Sequence, residues 1–163
     1  MAVETGLRQA DTVARSASGG RPVVLATLGV PLLRSAATFA VDSAVGSGQG
    51  LIICNVTLLE PLRMSLVFGY DALEEFTPEV SASLRAPAEL ARSLGVRVER
   101  LRVRTPRPIE ALLELVGDLH PGVLVFGPDP AALSPRRYER ARRAVLDRAG
   151  CLVWAPQVAG PVS

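Results

Sequence analysis

The residues best suited to chemistry lie between Gly127 and Arg140. Gly127 closes the apolar run Gly122-Val123-Leu124-Val125-Phe126, and Asp129 sits in the turn Pro128-Asp129-Pro130. Arg136, Arg137 and Arg140 follow on a stretch with helical spacing. A glycine lets bare backbone amides approach an anion, and guanidinium groups hold phosphate or carboxylate through paired hydrogen bonds. Anion binding is the chemistry these residue types offer. Catalysis is poorly served, because Asp129, Ser134 and Glu139 have no histidine or lysine base beside them. All 18 basic residues are arginine, which excludes Schiff-base and phosphate-loop lysine chemistry. His120 is the single histidine, and Cys54 and Cys151 each fall in an apolar run. Metal clusters and His-based triads therefore have little to stand on, and both cysteines read as buried, reduced thiols. No catalytic residue, metal or enzymatic activity is expected.

The elements that must position these residues form an alternating series. Pro22 to Leu28 reads as a buried strand turned by Gly29, and Pro31 suits the first position of the helix that follows. That helix buries Leu33, Ala36, Ala37, Ala40, Val41 and Ala44. Leu51 to Thr57 is a second strand. A helix from Pro78 to Leu94 carries the stripe Val80, Leu84, Ala88, Ala91 and Leu94, with Pro87 inside it. Val96 to Val103 alternates apolar residues with Arg97, Arg100, Arg102 and Arg104, as a charged sheet edge would. Pro108 opens a third helix to Leu119, buried through Ile109, Leu112, Leu113 and Val116. Gly122–Gly127 is the fourth strand, Ser134–Ala149 the last helix and Cys151–Ala155 the fifth strand. Right-handed crossovers turn this order into a three-layer α/β/α sandwich around a five-stranded parallel sheet. Ligands of such sheets sit beyond the carboxyl ends of the strands, which places the loop after Phe126 at the functional end.

The 163 residues are enough for one ordinary domain, with residues 1–21 read as a flexible N-terminal tail, 22–156 as the domain and 157–163 as a C-terminal tail. Hydrophobic residues make up 48%, yet no apolar run reaches the ~20 residues that cross a membrane. A cytoplasmic protein is the reading. The net charge of +2 is small, and the arginines of the third strand lack interleaved aromatics, so no nucleic acid is expected. From Leu58 to Thr77 no period holds, although Leu62, Met64, Leu66, Phe68 and Tyr70 are large and apolar. These read as a flap for a protein partner. The fifth strand carries no charge, and Leu152, Val153 and Trp154 read as an edge that a second copy would cover, giving a homodimer.

This order of elements resembles the universal stress protein family from Arg21 to Pro156. The likeness rests on the strand turning at Gly29, the Leu51–Thr57 strand, the helix opened by Pro108-Ile109-Glu110-Ala111-Leu112, and Gly122–Gly127 followed by the arginine-rich helix and Cys151-Leu152-Val153. The resemblance implies strand order 3-2-1-4-5 (adenine nucleotide alpha hydrolase-like), a homodimer through the last strand and, in many members, bound ATP. The nucleotide positions match poorly. Leu28 stands where the first strand usually ends in aspartate, and Pro106-Arg107 where Gly-Asp is common. Gly127 matches the first glycine of the phosphate loop, but Pro130 stands at the second and Glu139 or Arg140 at the third. ATP is therefore disfavoured and no cofactor is expected. The reading is a non-enzymatic regulatory or scaffolding protein in stress response. Its alternative is a nucleotide or anion sensor using Gly29, Gly127, Asp129, Arg136, Arg137 and Arg140.

Overall fold

The computed structural model describes residues 20–59 and 77–158. Strands β1 (Val23–Thr27), β2 (Leu51–Leu58), β3 (Val98–Thr105), β4 (Val123–Phe126) and β5 (Leu152–Trp154) alternate with helices α1 (Arg34–Ser47), α2 (Pro78–Ser93), α3 (Pro108–Leu119) and α4 (Pro135–Arg148). The strands form one parallel sheet in the order β3-β2-β1-β4-β5, as the resemblance implies. β1 is buried along its whole length, which is why it reads as an unbroken apolar run rather than an alternating one.

Successive side chains of each strand feed opposite layers. Val24, Ala26, Ile52, Cys54, Leu124 and Phe126 pack with α3 and α4. Val23, Leu25, Leu51, Ile53 and Val125 pack with α1 and α2. Alanines at 36, 40 and 44 make the buried stripe of α1 and let that helix lie close on the sheet. On α4, Tyr138, Ala141 and Val145 are buried, and the Tyr138 ring meets Phe126 at 6.0 Å between centroids. The Tyr138 hydroxyl donates to the Pro156 carbonyl at 3.0 Å and ties the chain leaving β5 to the last helix.

Several expectations need correction. The first helix begins at Arg34, with Leu33 as its N-cap, so Pro31 is not its first residue. The intervening residues run alongside the chain after β4, where Leu32 bridges Pro128 in antiparallel fashion. β3 begins at Val98, not Val96. Its apolar residues change parity because Val96 and Val98 meet the α1–α2 layer, whereas Leu101 and Val103 meet the other. Leu94 does not continue the buried stripe of α2; it caps the helix and is 54% exposed. Cys54 is buried, but Cys151 is only half-buried, since it precedes the short edge strand β5. The flap residues Leu62, Met64, Leu66, Phe68 and Tyr70 lie outside the described residues, as do most of both tails.

Candidate functional site

The strand order reverses between β1 and β4, although the two strands run parallel. β1 leads to a helix on one face and β4 to a helix on the other, so their carboxyl ends bound the crevice where ligands of such sheets bind. Gly29 and Gly127 stand on its two walls. Gly29 has a φ of 74°, a conformation that glycine adopts without strain, and its N–H donates to Asn55 Oδ1 at 2.8 Å. Beside it, the Thr27 hydroxyl donates to the Val30 carbonyl at 2.7 Å. These bonds fix the turn that leaves β1.

Backbone hydrogen bonds join the two loops that bound the crevice. The Leu33 N–H donates to the Gly127 carbonyl at 2.8 Å, and the Asp129 N–H donates to the Pro31 carbonyl at 2.9 Å. With the Leu32–Pro128 bridge between them, these bonds lace the loop after β1 to the loop after β4. The Gly127 N–H continues the sheet ladder to the Ala26 carbonyl at 2.8 Å. Gly127 is also packed tight. A Cβ there would lie 3.0 Å from Ala36 Cβ, 3.0 Å from a Leu32 methyl and 3.1 Å from a Leu25 methyl. Its small size therefore serves the seating of α1 against the sheet.

Asp129 turns its carboxylate to local work, accepting the Ala131 N–H at 3.0 Å at the head of a 3-10 turn over Pro130–Ala132. Ser134 caps α4, its hydroxyl accepting the Arg137 N–H at 3.3 Å, and Pro135 has no N–H to offer. Arg136, Arg137 and Arg140 are exposed and make no ion pair with any described residue. Glu139 holds Arg143 at 3.2 Å and Arg142 at 3.6 Å, which offsets part of the positive charge on the first turns of α4. Further along, Arg148 grips Glu110 of α3 through two bonds of 2.8 Å, and this guanidinium holds the Glu110 carboxyl below its usual range. The structure thus gathers Gly29, Gly127 and Asp129 at the switch point and leaves the three arginines on the outer surface of the last helix.

Asn55 is a site residue that sequence reasoning passed over. It is 3% exposed, in line with Thr27 on the neighbouring strand, and its Nδ2 is buried with no hydrogen-bond partner. Its signal was present: a lone amide inside the apolar run Leu51–Val56. At the β5 edge Leu152 is 71% exposed, whereas Trp154 is half-buried and stacks on Phe39 of α1 at 5.0 Å and 14°. Val153 packs against the α3–α4 layer. His120 is exposed at the end of α3 in a left-handed conformation, with a φ of 47°. Among the described residues no group of His, Cys, Asp and Glu could hold a metal ion, and no helix is long and apolar enough to cross a membrane.

A parallel sheet in this order, with two helices on each face and its switch point between β1 and β4, defines an α/β sandwich of the adenine nucleotide alpha hydrolase-like kind. Within that class the chain has the fold of the universal stress proteins. A universal stress protein in complex with cAMP is 22% identical, matched over 85% of this chain and 98% of its own, with a TM-score of 0.56. One from Archaeoglobus fulgidus in complex with dAMP is 18% identical over 85% of this chain and 98% of its own, with a TM-score of 0.58. A member from Burkholderia pseudomallei is 17% identical over 85% and 96%, with a TM-score of 0.61. No family model matches the chain, and no curated protein matches it.

Proposed function

We propose that this chain is a member of the universal stress protein family that has given up nucleotide binding and acts, without catalysis, as a regulatory or scaffolding protein. The observation that carries this reading is the lacing of the crevice, Leu33 N–H to Gly127 carbonyl and Asp129 N–H to Pro31 carbonyl. Neighbours in this fold hold cAMP and dAMP. Here the backbone groups beside the matched glycine are spent on the chain itself, and Leu28 and Pro130 replace residues that could meet a nucleotide. Burial, not an open cleft, is what Gly127 provides.

The working surface is then the open edge of β5. A parallel edge strand presents unpaired N–H and C=O groups, and here Leu152 stands beside them with 71% of its surface in water. Pairing with a second copy across a two-fold axis covers that edge, and the homodimer would serve protein partners in the cytoplasm. Sedimentation tests the surface. Wild type should run as a dimer at micromolar concentration, and Leu152→Arg should run as a monomer with unchanged circular dichroism. Leu152 is the better position to change, because altering Trp154 would also break its stack on Phe39. A wild-type monomer, or a Leu152→Arg dimer, refutes the β5 interface.

A second reading has one observation in its favour. Arg136, Arg137 and Arg140 are exposed without carboxylate partners among the described residues, so α4 keeps an anion-attracting first half. An anion sensor would use that surface and not the laced crevice.

A further inference from the structure

We propose a small-molecule site in the seam between α1 and α2, one that takes a compact apolar monocarboxylate. The two helices lie side by side on one face of the sheet, and the seam between them holds a groove of about 330 Å³. That lies near the lower bound of ligand pockets, about 300–1,000 Å³. The groove exists because the facing residues are small. Ala37 and Thr38 on α1 and Ala86 and Pro87 on α2 line it, where larger side chains would interlock and fill the seam. Leu32, Val41 and Leu90 complete its apolar walls, and Leu90 is 51% exposed along it.

The polar content of the groove points to the sign of the ligand. Arg34, the first residue of α1, is the one charged lining residue among the described residues and makes no ion pair with any of them. Among the described residues no acidic side chain lines the groove. The start of α1 adds to this field: Leu33 provides no side-chain cap, and the first turn has no acidic residue to offset the helix dipole. Charge at one end and apolar walls along the rest fit a carboxylate headgroup on a short hydrocarbon or aromatic body. Thr38 lies one turn beyond Arg34 on the same side, with a hydroxyl to donate to the second carboxylate oxygen. On α2, the Ser83 hydroxyl already accepts the Leu32 N–H at 3.0 Å and donates to the Val80 carbonyl at 2.8 Å, so it shapes the wall.

This site adjoins the crevice between β1 and β4 through Leu32, which bridges Pro128, and it does not depend on the dimer. Octanoate is the probe, with octanol as the same body without charge and acetate as the charge without the body. Amide chemical shifts of the full chain locate binding, and titration measures it. Octanoate should saturate with a Kd of about 1 mM or tighter, with shifts concentrated at Arg34, Ala37, Thr38, Ala86 and Leu90. Octanol and acetate should each bind about tenfold more weakly or worse. Arg34→Gln should weaken octanoate about tenfold and leave octanol unchanged. Ala86→Phe, at an exposed helix position, should fill the seam and abolish both. The proposal is overturned if octanoate does not saturate, if its shifts map elsewhere, if octanol binds equally well, or if either variant binds like wild type.

Discussion

Replacing Gly127 with alanine puts one methyl group where the structure leaves no room. The new Cβ would stand 3.0 Å from Ala36 Cβ, against carbon contacts that are optimal at about 3.5–4.0 Å. The two leucine methyls at 3.0 and 3.1 Å can swing, but Ala36 Cβ can move only with the α1 backbone. Overpacking of this kind costs about 1–3 kcal/mol. Alanine also stiffens the unfolded chain, which returns about 0.4–1 kcal/mol because Gly127 does not need a left-handed conformation. The net loss is about 1–2 kcal/mol, or about 2–8 °C in Tm for a domain of this size. Urea denaturation should show a lower midpoint with an unchanged slope. Gly117→Ala in α3 is the control: nothing lies within 4 Å of its Cβ, and it should gain about 0.5–1 kcal/mol. If Gly127→Ala is as stable as wild type, space exists beside Gly127, which is then not packed as described.

Thiol chemistry should separate the two cysteines. Burial pushes the Cys54 thiol up to about 12, and it also raises Cys151, which a backbone hydrogen bond partly opposes. Native protein should therefore label slowly at Cys151 and later still at Cys54, while unfolded protein labels at both; rapid labelling of Cys54 would contradict its place in β2. The same burial has a pH signature. Between the ordinary 9.0 and about 12 the unfolded chain has released the Cys54 proton and the folded chain has kept it. Stability is thus intact below that window and falls as pH rises through it, by at most about 1.4 kcal/mol per pH unit from this group. Tyr138, raised by burial, adds in the same direction, so Cys54→Ala should lessen the slope of urea midpoints against pH without removing it. Tyr138→Phe keeps the ring in the core and deletes the bond to the Pro156 carbonyl, at a cost of about 1 kcal/mol. Hydrogen exchange should quicken in β5 in that variant; unchanged exchange and an unchanged midpoint would mean the bond contributes nothing.

The fold was legible in the sequence where local signals agreed with burial. The expected helix Ser134–Ala149 is α4 almost to the residue, with Ser134 as its cap and Tyr138, Ala141 and Val145 buried. The uncharged, mostly apolar runs of β1 and β2, against the charged alternation of β3, separate central strands from an edge. What failed depended on contacts far apart in the chain. Pro31 is a sound helix opener by itself, but its carbonyl is engaged by Asp129, so the helix starts three residues later at Arg34. Parity along β3 could not be read without knowing that its two ends feed different helical layers. The site was legible only as a set of mismatches to a resembled pattern. Sequence marked Gly127 as the surviving match, yet its carbonyl bond to Leu33 and its contact with Ala36 exist only once α1 is in place. Trp154 likewise read as part of an edge for a second copy, and only the fold brings Phe39 against it.

The central claim is that the laced crevice holds no nucleotide. Calorimetric titration of the purified full chain with Mg-ATP and with AMP tests it most directly. Neither ligand should give saturable heat below about 1 mM. Saturation at micromolar concentration, with chemical shifts at Gly29, Asn55 and Gly127, would mean that the loops after β1 and β4 open to admit a nucleotide, and would contradict it.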